Sequence, residues 1–559
     1  MNNSSNNAVR QPQAELPSTP ETDALLQRIR DNVIGERMRM DTPFGQRPLV
    51  YADYTASGRA LQFIEDAIRH QVLPWYANTH TETSATGRQT TAFREQARAA
   101  VRHSVNAGDD HAIIFCGSGA TAAVNRLVDC LGLRKDCYER FGGTAGNIAD
   151  YKRPVVFIGP YEHHSNDLPW RESIADVVTI PQNDLGGVDL DALQNALDQY
   201  ADRPLKIGSF SAASNVTGIR TDVDAVTRLL HQNNALSFWD YAAAAPYVAI
   251  DTRGDDGLTS KDALFISPHK FIGGPGTPGI LILRRNLLPE SQPAVTGGGT
   301  VSWVSPGRHT YLPAGERREE AGTPAIVESV RAGMAFALKD EVGADLIEAR
   351  EDYWLARAFA RWSENPNIQI LGGTEAERVS IVSLHLLHDG KPLHHGFVVA
   401  LLNDLFGIQV RGGCSCAGPY GHHLLYLTDE QSTAIEKLVS EGESILKPGW
   451  VRLNFNYFLD VETVDYLIDA IDLIAEHGYR MLPFYQYDAS HGVWRYQGME
   501  AAAPIALGFD MAGGAPEKVA TPLHEFIEQA RSILANPPGA ICEQPVLSQE
   551  GEVLRWFPL

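Results

Sequence analysis

Lys270 follows the apolar run Ala263–Ile266 and precedes the glycine-rich turn Gly273-Gly274-Pro275-Gly276. A lysine at the carboxyl end of a strand stands where open α/β sheets bind their ligands. Desolvation there strips its proton, and the free amine can form a Schiff base with a carbonyl compound. Thirty residues earlier, Phe238-Trp239-Asp240 is another apolar run that ends in an acid. A lysine, with an aspartate to partner a pyridinium nitrogen, is what pyridoxal phosphate chemistry asks of a protein.

Three further stretches have the right order for such a site. Gly117-Ser118-Gly119-Ala120-Thr121 follows Ile113-Ile114-Phe115 and precedes a helical pattern beginning near Ala122. A strand, a glycine turn and a helix start present N–H groups and a hydroxyl to a phosphate, although a plain structural turn fits the same residues. His163, in Tyr161-Glu162-His163-His164-Ser165-Asn166, also follows a strand pattern. Its ring could stack on an aromatic cofactor and shuttle protons, where the plainer reading is a solvated loop histidine. Ser214-Asn215-Val216-Thr217-Gly218 places an amide at another strand end.

The elements that must position these residues are legible as a pattern. From about 50 to 325, short apolar runs alternate with helical periodicity, as in a mostly parallel sheet with crossover helices. The predicted strands are Ala112–Phe115, Val155–Gly159, Lys206–Phe210, Ala235–Trp239, Ala263–Ile266 and Gly279–Leu283. Beyond Pro324 a long helical stretch, about 325–363, precedes predicted strands Val379–Leu386, Gly407–Val410 and Trp450–Phe455 of a smaller sheet. Apolar spacing over Val461–Ala475 predicts a helix. Thr22 or Asp23 is a candidate cap for an early helix that stops near Gly35. The organisation predicted is a disordered tail (1–21), an N-terminal helix packing with the small domain (22–50), a large domain (51–325), a small α+β domain (326–480) and an extension (481–559). In the extension, Thr521-Pro522 starts one helix and Asn536-Pro537-Pro538 ends it.

With 559 residues and 44% hydrophobic content, the chain can bury a large core over more than one domain. Its formal charge of −22 argues against nonspecific nucleic-acid binding and against attachment to anionic membranes. Six cysteines, at 116, 130, 137, 414, 416 and 542, are too sparse for a disulfide scaffold. No charged-then-apolar leader and no run of roughly 18 apolar residues is present, so a cytoplasmic setting is the expectation.

Taken in order, these pieces resemble the class V aminotransferase-fold enzymes, in the branch of cysteine desulfurases and selenocysteine lyases. The matching segments are Tyr51-Ala52-Asp53-Tyr54-Thr55-Ala56, Glu162-His163-His164-Ser165-Asn166 with Pro169-Trp170, Ser214–Gly218, Asp240, Ser267 with His269-Lys270, and Glu320-Ala321-Gly322-Thr323-Pro324. Val410-Arg411-Gly412-Gly413, Cys416-Ala417 and Val451-Arg452 extend the match. The resemblance spans roughly 50–475. It implies the type I fold of pyridoxal phosphate-dependent transferases: a large, doubly wound, mostly parallel sheet domain plus a smaller α+β domain.

It also implies roles, residue by residue. Lys270 is expected to carry pyridoxal 5'-phosphate and later to move protons, Asp240 to pair with the ring nitrogen, and His163 to stack on the ring. Ala120, Thr121, Ser267 and His269 are expected around the phosphate, with Asn215 near the ring hydroxyl and the substrate carboxylate. Thr323 is expected to reach the phosphate of a neighbouring subunit, which implies a homodimer. Ala56, Asn215, Arg411 and Arg452 are expected to bind substrate, the arginines through a planar fork that matches a carboxylate. The plain alternative for either arginine is a structural ion pair. Cys416 is expected to take sulfur from L-cysteine, leaving alanine and an enzyme persulfide for an acceptor protein. No metal is expected. The alternative reading is an aminotransferase, epimerase or other lyase in which Cys416 is not catalytic. Ala243 stands where desulfurases carry a glutamine, Ala120-Thr121-Ala122 replaces a more polar cup, and Cys414-Ser415 replace bulkier histidines. These departures bear on the substrate rather than on the cofactor.

Overall fold

In the computed structural model, which describes residues 15–79, 81–135, 149, 152–497 and 517–559, the continuous apolar runs become one seven-stranded sheet. Its strands are β1 (His111–Cys116), β2 (Val155–Ile158), β3 (Asp176–Thr179), β4 (Lys206–Ser211), β5 (Leu236–Asp240), β6 (Ala263–Ile266) and β7 (Gly279–Arg284). They lie in the order β1-β7-β6-β5-β4-β2-β3, and only β7 runs antiparallel to its neighbours. Every residue of β1, β2, β4 and β6 is buried, the mark of strands covered on both faces. Side chains alternate between the two faces. Ile113 and Phe115 join one core, while Ala112, Ile114 and Cys116 join the other. On the first face, helix Ile326–Val342 lies against helix Ala85–Ser104 so closely that a Cβ on Gly333 would meet the Ala97 Cα at 2.5 Å.

The smaller sheet has five antiparallel strands: β8 (Ile368–Ile370), β9 (Ile381–His388), β10 (Arg411–Gly413) and β11 (Trp450–Asn454) in the order β8-β9-β11-β10, with the two-residue strand Lys391–Pro392 paired to the end of β9. The predicted strand Gly407–Val410 is corrected here. Gly407 closes a helix in the left-handed conformation, and Ile408–Gln409 pairs in parallel with Val50–Tyr51, outside that sheet. Its place is taken by Arg411–Gly413. The long helix predicted over 325–363 is two helices, Ile326–Val342 and Ala344–Trp362, broken where Gly343 adopts φ +86°.

The early helix spans Pro20–Asn32 and is capped by Thr19 rather than Thr22 or Asp23. Thr22 instead completes a capping box with Thr19, because Pro20 already suits a first helical turn. Of the predicted disordered tail, residues 1–14 lie outside the described residues. Within 15–21 the chain is docked, with the Pro17 carbonyl accepting from Arg350 Nη1 at 3.0 Å. The extension contains the hairpin Tyr485–Asp488 with Val493–Tyr496 and the helices Leu523–Ala535 and Gln549–Leu554. Among the described residues no helix is long and apolar enough to cross a membrane.

Candidate active site

The carboxyl ends of β1, β2, β4, β5 and β6 open into a cavity of about 530 Å³ whose far wall comes from β10, β11 and the segment after Val50–Tyr51. Lys270 closes the short turn Pro268–Lys270 beyond β6. Burial, reinforced by the charges of Arg452 and Arg411, lowers its amine to about 8 even though Asp240 and Asp53 favour the proton. Asp240 ends β5 and is 4% exposed, and its Oδ1 accepts from the Ala242 N–H at 2.7 Å. Burial raises its pKa, against that hydrogen bond and the nearby Lys270. Burial thus favours the uncharged form of both groups.

Toward β1 the cavity narrows to a backbone cup. A Cβ on Gly119 would come within 2.8 Å of Ser267 Oγ, and one on Gly279 within 2.0 Å of the Gly119 carbonyl. The turn therefore sits flush on β7, and helix Gly119–Cys130 points its first N–H groups at the cavity. The Ala120 N–H donates to Ser267 Oγ at 2.8 Å, and Thr121 Oγ1 meets Ser165 Oγ at 2.6 Å. His269 lines the same end. Burial and the Lys270 charge push it down to about 4, so it is neutral at pH 7.

His163 caps its own helix, His164–Arg171, by accepting the Ser165 N–H at Nδ1 (3.1 Å). The proton of the neutral ring is thereby placed on Nε2. Burial and the charges of Lys270, His164 and Arg452 push His163 down to about 3. Glu162, whose role sequence reasoning missed, ties the ends of β2 and β4 together. It accepts from Ser211 N (2.8 Å), Gly159 N (3.2 Å), Ser211 Oγ (2.6 Å) and Asn166 Nδ2 (2.7 Å). Burial outweighs these donors and lifts its carboxyl to about 7.

On the opposite wall, Arg411 and Arg452 are directly opposed across β10 and β11. Like charges so placed repel, and Asp53 neutralises them. Arg411 Nε and Arg452 Nη2 each donate to one of its carboxylate oxygens at 3.1 Å. The Val50–Tyr51 pairing with Ile408–Gln409 sets this register, bringing Asp53 level with Arg411. Arg452 also donates from Nη1 to the Asn215 carbonyl at 2.9 Å. The ion pairs weighed as the plain alternative are therefore present. They are compatible with a ligand, because Arg452 Nε, buried at the cavity, has no protein partner. Asp53 was within reach of the sequence, as the acid of Tyr51–Ala56.

After β10 the chain makes the tight turn Cys414–Ala417, closed by Ala417 N to the Cys414 carbonyl at 3.2 Å. Ser415 and Cys416 line the cavity. His164 holds this turn twice: its N–H donates to the Cys416 carbonyl (2.9 Å) and its Nε2 accepts the Gly418 N–H (3.1 Å). Asn215 Nδ2 donates to the Ser415 carbonyl at 2.8 Å. Ala56 and Ala243 also line the cavity. Thr323 does not. It is exposed, and its Oγ1 accepts from Asn78 Nδ2 at 3.2 Å.

The chain matches the family model for aminotransferase class-V over residues 50–467. A probable cysteine desulfurase of Streptomyces coelicolor is 30% identical over 394 residues, covering 69% of this chain and 88% of the relative. A cysteine desulfurase of Synechococcus elongatus is 29% identical, covering 68% and 58%. Among solved structures, the apo cysteine desulfurase from Thermococcus onnurineus NA1 aligns with a TM-score of 0.63 at 21% identity, covering 83% of this chain and all of that one.

Proposed function

Because the chain belongs to the aminotransferase class-V family, we propose that it is a pyridoxal phosphate-dependent cysteine desulfurase, converting L-cysteine to alanine and an enzyme persulfide. The observation that carries the proposal is one cavity lined by Lys270, Asp240, the Asp53-bridged arginines and the Cys416 thiol.

The residues fit the cofactor. The cup at Gly119 accepts a phosphate where a Cβ has no room. Asn215 Oδ1 and Thr55 Oγ1, both of cavity-lining residues, are buried without protein partners. Lys270 would hold the group through Nζ, Asp240 would hold the proton on its ring nitrogen, and His163 would cover the ring. When bound, the group supplies an electron sink for the substrate Cα.

The chain's own residues supply the rest. The fork of Arg452, with Arg411, orients the substrate carboxylate. Lys270 Nζ takes the Cα proton and returns a proton to the three-carbon product. Cys416 Sγ, as thiolate, attacks the substrate sulfur. The substrate Cβ–S bond breaks with its electron pair going to carbon, and the sulfur stays on Cys416. The exposed position of Thr323, away from its own chain's cavity, supports a homodimer in which it serves the neighbouring subunit.

With L-cysteine and a reductant, the protein should release alanine and sulfide in equal amounts, and Cys416→Ser should release neither. Undiminished sulfide from Cys416→Ser, or conversion of added 2-oxo acids to amino acids without sulfide, would replace this reading with the aminotransferase one.

A further inference from the structure

We propose that His385, His394 and His395 form a positioning ladder that sets the arginine wall for the substrate carboxylate. This rests on the reading of Arg452 and Arg411 as the carboxylate fork. The three rings hold alternate carbonyls of the segment that leads into β11. His394 Nε2 meets the Ile445 carbonyl at 3.1 Å, His395 Nε2 the Lys447 carbonyl at 3.3 Å, and His385 Nε2 the Gly449 carbonyl at 3.1 Å. All three carbonyls lie before the first sheet pair, Gly413 with Trp450, and a carbonyl turned inward needs a donor.

A carbonyl only accepts, so each ring carries a proton on Nε2. For His394 the other nitrogen agrees: Nδ1 accepts the Gly396 N–H and the Trp494 Nε1–H, both at 3.0 Å. Burial keeps the rings neutral at pH 7, pushing His395 down to about 4 and lowering His385 and His394 as well.

The ladder grips the start of β11 from both of its neighbours. His385 belongs to β9, which pairs Ser383 with Arg452 and Leu384 with Val451. His395 works from the side of β10. A Cβ on Gly412 would come within 2.9 Å of its Nδ1, and one on Gly449 within 2.7 Å of its Cδ2. The ring is therefore the spacer where β10 meets the entry to β11, two strands whose register opposes Arg411 to Arg452. A shift of Gly449 passes along β11 to Arg452, three residues on. The extension closes the ladder from outside, with Trp494 bonded to His394 and Trp556 stacked on His394 and His395. None of its described residues lines the cavity, so its part in substrate binding runs through these rings.

The test compares binding of L-alanine, the expected product, with that of ethylamine, the same amine without a carboxylate. Both are titrated into the cofactor-loaded protein and followed by the change in cofactor absorbance. His395→Leu fills the ring's volume without the donor. It should weaken L-alanine about fivefold, the worth of one such hydrogen bond, and leave ethylamine unchanged. His395→Gln, which keeps an N–H at the Nε2 position, should recover most of that affinity. His385→Leu and His385→Gln repeat the comparison at the Gly449 carbonyl and should divide in the same way. With L-cysteine, the Leu variants should raise KM with kcat within about twofold of wild type. Unchanged L-alanine binding in both Leu variants, equal losses for the two ligands, or equal losses in Leu and Gln overturns the ladder and leaves the fork standing. Arg452→Ala tests the fork itself: if it weakens L-alanine and ethylamine alike, the reading of the arginines falls, and the ladder with it.

Discussion

Lys270 shows how one residue's surroundings set its chemistry. With its amine lowered to about 8, roughly 10% is unprotonated at pH 7, against well under 0.1% for an ordinary lysine. Capture of added pyridoxal phosphate by the apoprotein should therefore rise about tenfold per pH unit below 7 and level off above about 8. Following absorbance near 420 nm, roughly where such adducts absorb, against pH checks this, with Lys270→Ala inert. A rate still climbing tenfold per unit above pH 9 would mean that the amine is ordinary. His163, pushed down to about 3, should contribute no inflection near 6.5. On the opposite wall, Arg452→Lys keeps the charge but loses the fork. It should raise KM for L-cysteine about 10–100-fold with a smaller change in kcat, whereas equal losses in kcat and kcat/KM would assign Arg452 to the transition state alone. Lys270 and His163 are legible in the sequence because each follows an apolar run, whereas Arg452, in the middle of β11, is legible only through the family resemblance. Sequence reasoning missed Asp53 as the bridge between the arginines because that contact depends on a two-residue strand pairing with residues far along the chain.

At the scale of elements, legibility followed burial. Six of the seven strands of the main sheet are buried along nearly their whole length and hence visible, with predicted bounds a residue or so from the observed ones, whereas β3, half-buried at the sheet's edge, is not among the predicted strands. β10 was not visible, because Arg411-Gly412-Gly413 has no strand propensity of its own and is held by β11. Close backbone approach is equally invisible before the fold is known. Gly279 opens β7 against the Gly119 carbonyl, where a Cβ would sit at 2.0 Å and the neighbour is backbone, unable to rotate away. Gly279→Ala should therefore prise the cup from β7, weakening pyridoxal phosphate retention tenfold or more and costing about 1–3 kcal/mol in urea unfolding. Gly343→Ala makes the contrast. No atom lies within 4 Å of its added Cβ, and only the φ of +86° resists it. It should cost about 1–3 kcal/mol in unfolding free energy and leave cofactor retention and sulfur release as they are. Matching losses in both variants would refute the division between cup and hinge.

Across the whole molecule, one apolar core runs from Phe115 in the main sheet through Val382 in the small one to Phe557 in the extension. The extension's last segment reaches the cysteine turn through a short chain of contacts. Phe557 is fully buried, and Trp556 stacks on His394 and His395 with centroids 5.5 and 6.1 Å away. Trp556 Nε1 also donates to the Leu446 carbonyl at 3.1 Å. His395 in turn lies beneath β10, where a Cβ on Gly412 would approach its Nδ1 to 2.9 Å. Gly412 stands two residues before Cys414, so among the described residues the extension bears on the turn through packing rather than through a hydrogen bond to it. Phe557→Ala should cost about 3–5 kcal/mol, the range for emptying a buried aromatic site, and lower the urea midpoint accordingly. If the packing also holds the turn, the Ala417 N–H, which closes it on the Cys414 carbonyl, should exchange with deuterium severalfold faster in this variant under native conditions, as local opening becomes more populated. Pyridoxal phosphate content should stay at the wild-type level, because the cup belongs to the main sheet. A lower midpoint with unchanged exchange at Ala417 would make the extension a stabiliser of the small sheet alone. An unchanged midpoint would show that the segment holds nothing in place.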